Sequence, residues 1–227
     1  MKVSVVLVGA GLGLRMGGSV KKPFMQLHGK PVFLHTLERF SQCDKISETI
    51  LVVSENDIEN LREQWQSNLD TFKVKKIVPG GKRRQDSVYN GLCHIDRNAD
   101  IVLIHDVVRP LIKKEQIEAV INKVKETRAA ILAAPMKATV KEIVSDFCIK
   151  RTVPRNTLWM AQTPQGFERK LILEVFDKFK NSEFEFTDDS QMVEHAGYPV
   201  YIVPGTDENI KITTPEDIRL AEALIRK

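Results

Sequence analysis

A glycine-rich turn follows a short apolar run near the beginning of the chain. The turn reads Gly9, Ala10, Gly11, Leu12, Gly13, Leu14 and Arg15, and the pair Lys21-Lys22 comes soon after it. Glycine lets the backbone approach a ligand closely and present its N–H groups, which a phosphate-binding turn requires. Arg15 and Lys22 would then lie beside the charge of a polyphosphate. The pattern predicts a loop for a nucleoside triphosphate, with two cations that stabilise the transition state.

This turn differs from two better-known phosphate-binding motifs. The dinucleotide motif G-x-G-x-x-G requires glycine where Leu14 stands, and the P-loop requires Gly-Lys-Ser/Thr where the chain has Gly13-Leu14-Arg15. An ordinary strand-to-helix turn is the alternative interpretation. The nearby cations Arg15 and Lys22 favour the nucleotide loop.

Further cations follow apolar segments or lie in loops. They are Lys82, Arg83, Arg84, Arg109, Arg155 and Lys211. Each of them alone is typical of a solvated surface charge. Their placement beside glycine turns and threonines, rather than on helix faces, favours one shared anion site. In the basic run at residues 82–84 we expect Arg84, nearest the helix start, to be the residue that contributes.

The sequence contains no conventional nucleophile set. No serine stands in G-x-S-x-G, no cysteine has a motif, and none of the five histidines belongs to a recognisable relay. We expect His105 to hold its loop through a backbone hydrogen bond. A phosphate monoester, whose second pKa is about 6, is already ionised at neutral pH and needs no general base. It does need its charge neutralised, so cations, Mg²⁺ and backbone donors would supply most of the rate.

Three aspartates leave alternatives open. Asp106 follows an apolar segment, and it could contact a ribose or a metal or could cap the next turn. Asp188 and Asp189 are interpreted first as a helix cap, with metal binding as the alternative.

Composition bounds the class of protein. The chain has 227 residues, of which 42% are hydrophobic and 28% charged, and this favours one domain over residues 1–227. Its 34 basic and 30 acidic residues leave a net charge of +4, too low to predict a nucleic-acid partner. Cys43, Cys93 and Cys148 are widely spaced, which favours a reducing cytoplasm. No segment approaches the roughly 20 apolar residues of a membrane span, so no membrane partner is expected.

Apolar segments alternate with amphipathic ones through residue 135. We predict strands at residues 2–8, 46–53, 74–78, 101–104 and 129–134, and helices at 30–41, 55–67, 85–95 and 114–127. This alternation predicts an α/β fold with a mostly parallel sheet covered by helices on both faces. Ligands of such sheets bind at the carboxyl ends of the strands. The glycine turn and the loops at 80–84 and 105–110 should therefore meet at one edge.

The pattern changes between about residues 136 and 158. Two β-rich pieces flank Ser145-Asp146-Phe147, which predicts a projecting β-hairpin arm. An isolated hairpin is marginally stable, so this arm should pack against something, such as a second subunit. After residue 158 we expect a return to helices, one of them capped at residues 187–189 and stopped at Gly197. A strand at 198–203 and a helix opened by Thr214-Pro215 would complete the fold.

The succession of motifs carries a family likeness. In order, the chain contains GAGLGLRM, KKP, GGKRRQDSV, HDVVRP, RNTLW, TPQ, TDD and NIKITTPED. Together these closely resemble the 2-C-methyl-D-erythritol 4-phosphate cytidylyltransferase family. The resemblance implies a single Rossmann-like nucleotidyltransferase domain with Mg²⁺ as cofactor, acting in the non-mevalonate isoprenoid pathway. The implied reaction joins CTP and the polyol phosphate to give 4-diphosphocytidyl-2-C-methyl-D-erythritol and pyrophosphate.

The resemblance also implies roles for individual residues. Catalysis would fall to Arg15, Lys22, Arg155 and Lys211. Nucleotide binding would fall to Gly9, Ala10, Gly11, Gly13, Gly81, Arg84, Ser87 and Asp106. The polyol phosphate would be bound by Asp106, Arg109, Thr139, Arg155, Thr163, Thr187 and Lys211. No side chain is assigned as a metal ligand, because Mg²⁺ would be held mainly by the CTP phosphates. Thr139 and Arg155 would reach the site of a neighbouring subunit, which implies a homodimer.

Two other functions remain as alternatives. Ribitol-5-phosphate cytidylyltransferase shares the glycine turn, HDxxRP, TPQ and NIKITTP, while the RNTLW and TDD segments look more like the erythritol enzyme. A non-catalytic nucleotide-binding module is the second alternative. Such a module would have no reason to keep Arg15, Lys22 and Lys211 together.

Overall fold

A seven-stranded sheet forms the centre of the computed structural model, which describes residues 1–11 and 21–225. The strands in chain order are β1 (Val3–Val8), β2 (Gln26–Leu27), β3 (Lys30–Pro31), β4 (Ile46–Val53), β5 (Val74–Pro79), β6 (Ile101–Asp106), β7 (Ala129–Pro135), β8 (Val140–Ile143), β9 (Ile149–Val153), β10 (Trp159–Glu168) and β11 (Tyr201–Pro204). The helices are α1 (Val32–Ser41), α2 (Ile58–Thr71), α3 (Arg84–Leu92), α4 (Lys114–Thr127), α5 (Arg169–Phe179), α6 (Asp189–His195) and α7 (Pro215–Ile225).

The large sheet has the strand order β11-β7-β10-β6-β1-β4-β5. All neighbours are parallel except β10, which runs antiparallel to both β6 and β7. The chain builds outward from β1 through β4 to β5 and then crosses back to β6 on the other side of β1. Such a reversal opens a crevice at the carboxyl ends of the two central strands. The glycine turn follows β1 and Asp106 ends β6, so both border this crevice.

Helices cover both faces of the sheet, as the sequence predicts. One buried layer joins the sheet to α1 and α4, and the other joins it to α3, α5 and α6. In β1, Val5 and Leu7 enter the first layer and Val6 the second, because successive strand residues point to opposite faces. All three are fully buried, and such burial stabilises a fold by about 1.5–3 kcal/mol per side chain.

Most predicted elements are confirmed with small shifts in their ends. The helix Lys114–Thr127 has the predicted bounds, whereas α2 continues four residues beyond the predicted end at 67 and α3 ends three residues before the predicted 95. The last strand starts at Tyr201 rather than at 198.

The prediction that the chain returns to helices directly after residue 158 is wrong. The segment Trp159–Glu168 is the ten-residue strand β10, and it lies in the middle of the sheet. Gln, Thr, Pro and Gly interrupt its apolar residues, so neither strand periodicity nor strand propensity marks it. Its position between two strands, rather than its composition, imposes the extended conformation.

The predicted hairpin arm is confirmed as a separate two-stranded antiparallel sheet of β8 and β9. Its turn carries Asp146 and Phe147 in the left-handed region, at φ 62° and 57°. Phe147 is 89% exposed, and Ile143, Val144 and Ile149 are also exposed large apolar residues. Across the described residues, no helix combines the length and apolar character needed to span a bilayer.

Candidate active site

A cavity of about 570 Å³ opens at the carboxyl edge of β1, β4, β5 and β6. It collects predicted site residues from distant parts of the chain: Gly9, Ala10, Gly11, Lys22, Gly81, Arg84, Asp106 and Lys211. The predicted convergence of the loops after β1, β5 and β6 on one edge is therefore confirmed. Gly13 and Arg15 lie outside the described residues.

The two glycine turns approach each other at backbone distance on one wall of this cavity. The N–H of Gly9 donates to the carbonyl of Val52 at 2.7 Å, and that of Gly80 donates to the carbonyl of Val53 at 2.8 Å. A Cβ added at Gly80 would lie 2.2 Å from the Cβ of Ala10. Residue 80 must therefore be glycine for the turns to meet, and this close meeting forms a backbone surface suited to a flat ring.

Ser87 holds the turn at Gly80 and Gly81 in place through hydrogen bonds. Its Oγ accepts a hydrogen bond from the N–H of Gly81 at 3.0 Å and donates to the carbonyl of Arg83 at 3.2 Å. The hydroxyl is buried, and in this structure it fixes the turn that carries Gly81. Lys82 and Arg83 also line the cavity, although the sequence singled out Arg84 alone.

Asp106 forms the centre of charge in the cavity. One of its oxygens, Oδ2, lies 2.7 Å from Nζ of Lys211 and 3.8 Å from Nε of Arg109, and the other lies 3.5 Å from Nη2 of Arg84. The aspartate is buried, whereas Lys211 is partly exposed toward the cavity. Three cations from separate parts of the chain thus surround a single carboxylate.

Burial and charge act in opposite directions on the pKa of Asp106. Burial alone would raise it, but the positive charges of Arg84, Lys211 and Arg109 outweigh burial and hold the pKa well below the usual range. For Arg84, burial opposes the charged form, and the negative charges of Asp189 and Asp106 raise its pKa despite that. Both groups are therefore ionised at neutral pH.

Lys21 and Lys22, which sequence spacing alone cannot distinguish, have different surroundings. Nζ of Lys21 lies 2.7 and 2.8 Å from the two carboxylate oxygens of Asp57. Lys22 starts the short 3₁₀ turn Lys22–Phe24 and lines the cavity. The structure therefore favours Lys22 as the cation that faces a bound phosphate.

A hydrogen-bonded chain fixes the loop that carries Asp106. The hydroxyl of Thr163 accepts from the N–H of Asp106 at 3.1 Å and lies 3.0 Å from Nδ1 of His105, and Nε2 of His105 lies 3.2 Å from the carbonyl of Arg109. The carbonyl of Arg109 can only accept, so Nε2 carries the imidazole proton, and in the neutral ring Nδ1 accepts from the Thr163 hydroxyl. Burial lowers the pKa of His105 to about 3, so the ring is neutral. The expected backbone hydrogen bond of His105 is confirmed.

Carboxylates suited to a metal are few in this cavity. Asp106 and Glu55 line it, and Asp106 already contacts Lys211 and Arg84. No cluster of three or more His, Cys, Asp or Glu residues suited to a metal occurs within residues 1–11 and 21–225. Mg²⁺ commonly binds through one or two carboxylates together with substrate phosphates. The donor set fits an ion that arrives with a polyphosphate and meets at most Asp106 or Glu55.

Comparison with known proteins decides the family. The model of the family described as 2-C-methyl-D-erythritol 4-phosphate cytidylyltransferase matches residues 3–227. The chain belongs to that cytidylyltransferase family. It is 42% identical over 226 residues to the enzyme of that name from Syntrophus aciditrophicus, covering 100% of this chain and 97% of the relative.

Solved structures of the family share the fold. The crystal structure of 4-diphosphocytidyl-2C-methyl-D-erythritol synthase from Anaerococcus prevotii superposes with a TM-score of 0.86 at 34% identity, covering 99% of this chain and 98% of the other. That of 2-C-methyl-D-erythritol 4-phosphate cytidylyltransferase from Thermus thermophilus has a TM-score of 0.80 at 30% identity, with both chains fully covered. The Rossmann-like nucleotidyltransferase fold predicted from the sequence is confirmed.

In this cytidylyltransferase, several predicted substrate residues lie away from the cavity wall. Arg109 donates to the carbonyl of Asn209 at 2.7 Å, and the Thr163 hydroxyl is buried in the chain described above. Thr187 is exposed and donates to Oε1 of Gln191 at 3.1 Å. Their roles as ligands of the polyol phosphate stay predictions.

Thr139 and Arg155 lie on the arm and its base. Both are exposed, and Arg155 donates a hydrogen bond to the carbonyl of Lys137. Of the described residues that line the cavity, none comes from the arm. A contribution from these two residues to the reaction therefore needs the arm of another copy or a movement of their own.

Sequence reasoning missed three buried polar residues that support the site. Gln165 of β10 accepts from the N–H groups of Asp189 and Ser190 at 3.1 and 2.9 Å. Nδ2 of Asn209 donates to the carbonyl of Thr163 at 2.9 Å. Asp189 pairs with Arg84 at 2.9 Å, whereas the expected helix cap is made by Asp188. Gln165, Asp189 and Asn209 belong to the TPQ, TDD and NIKITTPED motifs. The polar residues of these motifs could have indicated a role in supporting the site.

Proposed function

We propose that the cavity transfers the cytidylyl group of CTP to 2-C-methyl-D-erythritol 4-phosphate, giving 4-diphosphocytidyl-2-C-methyl-D-erythritol and pyrophosphate. The observation that best supports this function is that two glycine turns and three cations, Lys22, Arg84 and Lys211, line one cavity. A triphosphate and a phosphate monoester together carry more negative charge than any single cation can neutralise. Family membership supplies the identity of the two substrates.

The reaction needs positioning and charge neutralisation more than proton transfer. An oxygen of the polyol phosphate forms a bond to the α-phosphorus of CTP, the bond from that phosphorus to the bridging α–β oxygen breaks, and pyrophosphate leaves with the electron pair. The attacking group is already an anion near pH 7, because its second pKa is about 6. Lys22, Lys211 and Arg15 would stabilise the charge that accumulates at the phosphorus.

We infer that Mg²⁺ enters with the triphosphate. When bound, the ion would neutralise phosphate charge, with Asp106 or Glu55 as the nearest carboxylates on the cavity wall. Asp106 also orients Lys211 through its 2.7 Å contact.

Recognition of the base would rest on backbone groups. Gly9, Ala10 and Gly81 bring backbone to the cavity wall, with the Ser87 hydroxyl behind Gly81. The N–H groups of Gly9 and Gly81 already donate to Val52 and Ser87, so the base would be read mainly by carbonyl groups. A base held between two such closely spaced turns would have to be small, which favours CTP over ATP or GTP.

We infer a homodimer in which each arm completes the neighbouring site. The exposed apolar residues of the arm, with Phe147 89% exposed, favour a protein surface as their cover. Thr139 and Arg155 would then act on the polyol phosphate in the partner's cavity. Three cysteines without disulfide bonds in the structure support a cytoplasmic location.

Pyrophosphate release tests the function directly. Purified protein is incubated with CTP, Mg²⁺ and either 2-C-methyl-D-erythritol 4-phosphate or ribitol 5-phosphate. We expect release with the erythritol substrate and at most a few per cent of that rate with ribitol phosphate. Turnover of ribitol phosphate alone would replace the proposed acceptor, and CTP binding without any release would support a binding module instead.

A further inference from the structure

Asp189 is a buried acid whose side chain has a single described polar contact. It is 1% exposed, and its Oδ2 accepts a hydrogen bond from Nη2 of Arg84 at 2.9 Å. Its other oxygen, Oδ1, is buried without a hydrogen-bond partner among the residues that the structure describes. Burying an aspartate is costly unless its charge is paired with a cation or hydrogen-bonded. Among the described residues, the partner of this carboxylate is Arg84, which lines the nucleotide cavity.

The helix that carries Asp189 does not need its carboxylate. Asp188 is the N-cap of α6, and its Oδ1 accepts from the N–H of Gln191 at 2.8 Å. Gln165 accepts from the N–H of Asp189 at 3.1 Å and donates to Oδ2 of Asp188 at 2.9 Å, so it ties the first helical turn to β10. The backbone of Asp189 is thereby fixed to the centre of the sheet, and its carboxylate is left to face Arg84.

Arg84 lies between two acids with different surroundings. The same atom, Nη2, is 2.9 Å from Asp189 and 3.5 Å from Asp106. Asp106 is already engaged by Lys211 at 2.7 Å, so the shorter contact to Asp189 holds the guanidinium away from that pair. Without Asp189, Arg84 would be drawn toward Asp106 and away from the position that the pair with Asp189 gives it on the cavity wall.

We propose that Asp189 is a positioning residue that holds Arg84 at the cavity wall and thereby sets the affinity for CTP. This assignment rests on the proposed function, since it takes CTP as the ligand of the cavity. Asp189 does not line the cavity, so its effect on CTP would pass through Arg84. Lys211 is paired with Asp106 rather than with Asp189, so kcat should change much less than the CTP affinity.

A double-mutant cycle on CTP binding tests the proposal. The dissociation constant of MgCTP is measured by calorimetry without acceptor for the wild type, Asp189→Asn, Arg84→Ala and the double variant. Asp189→Asn should weaken binding about 10-fold, the size expected for losing a charged hydrogen-bond partner. In the Arg84→Ala background the same change should have almost no further effect. Full additivity of the two changes, or unaltered binding by Asp189→Asn, would overturn the proposal.

Two further variants separate positioning from general stability. Asp188→Ala removes the helix cap but leaves the Arg84 contact, so it should lower the melting temperature and change CTP affinity less than about 2-fold. Asp189→Glu keeps the charge and should bind CTP more tightly than Asp189→Asn, and equal weakening by both would count against the charge pair. If Asp189→Asn does not fold, Asp189→Ser gives the same cycle.

The binding cycle also separates this inference from the proposed reaction. A wild type that binds CTP but releases no pyrophosphate with either polyol phosphate would contradict the proposed function. The double-mutant cycle on CTP binding would still test whether Asp189 positions Arg84. A wild type that turns over normally, with an Asp189→Asn variant equal to it in CTP affinity, would contradict this inference alone.

Discussion

Nζ of Lys211 lies 2.7 Å from Oδ2 of Asp106, which joins a loop near the end of the chain to the end of a central strand. The carboxylate fixes a lysine that is still 41% exposed and faces the nucleotide cavity. A cation held in place before the reaction costs no reorganisation when charge develops. In the proposed reaction, this contact would hold Lys211 ready for the transition state.

Lys211→Ala should lower kcat by about 10²–10³-fold, the range observed when one such electrostatic group is removed. Arg84 and Arg109 remain near Asp106, so the free energy of unfolding should fall by no more than about 1 kcal/mol. Pyrophosphate release and urea denaturation measure the two quantities. Lys113→Ala, which removes an exposed pair with Glu208, is the control and should keep activity within about 2-fold.

Lys22→Ala and Lys21→Ala form a matched pair of neighbouring substitutions. Lys22→Ala should lower kcat by about 10²-fold or more with little change in CTP affinity, because a transition-state contact is lost. Lys21→Ala breaks an ion pair with Asp57 and should leave kcat within about 3-fold. Steady-state kinetics distinguish them, and equal losses of kcat in both variants would remove the assignment of Lys22.

The neutral imidazole of His105 makes the fold sensitive to acid. Its pKa of about 3 in the folded state lies below the unfolded value of about 6.5, so the unfolded chain binds the proton first. Stability therefore falls as the pH drops from about 6.5 toward 3, and this residue alone should account for about 2 kcal/mol between pH 7 and 5. His35, whose pKa burial also lowers, acts in the same direction.

Urea unfolding at pH 7 and 5 measures this effect by comparing the wild type with His105→Gln. The variant cannot take up a proton at this position, so its loss of stability between the two pH values should be smaller by about 2 kcal/mol. An unchanged difference between the two pH values would mean that His105 does not remain neutral in the folded chain.

The proposed homodimer with shared sites predicts that two inactive variants recover activity when they are mixed. Lys211→Ala keeps its arm, and the Thr139→Ala/Arg155→Ala double variant keeps its cavity. After mixing and subunit exchange, about one quarter of the sites would combine an intact cavity with an intact arm. Each variant alone should have at most a few per cent of wild-type activity. Failure of the mixture to exceed the separate activities would mean that each arm serves its own chain.

The apolar end of the arm should govern assembly. Phe147→Ser removes its most exposed aromatic side chain and should shift the protein toward monomer in light scattering after gel filtration. Activity should fall in parallel with the dimer fraction. Lys150→Ser, also on the exposed arm but charged, is the control and should leave the mass unchanged.

The parallel half of the fold was predictable because each segment carries its own pattern. Residues 46–53 form an apolar β-branched run and residues 114–127 an amphipathic one, and both became the expected elements. The strand β10 was not predictable in this way. Its buried residues Gln162, Thr163 and Gln165 are satisfied by partners far away in the chain, which no local window contains.

The candidate site shows the same division. Glycine spacing pointed to Gly9, and placement beside glycine turns and threonines, rather than residue type alone, pointed to Lys22 and Lys211. Asp106 was a candidate because it follows an apolar segment. The pairing of Arg84 with Asp189 joins residues 105 positions apart in the chain and depends on the first residues of α3 and α6 meeting in the folded chain. Only the folded chain brings such partners together.

The insertion of β10 between β6 and β7 has a consequence for biosynthesis. These two strands are made one after the other, yet neither pairs with the other in the finished sheet. When only the first 158 residues have been synthesised, the edges of β6 and β7 that will pair with β10 are still unpaired. Those edges could capture the wrong polypeptide, so completion of the sheet waits on translation of its later part.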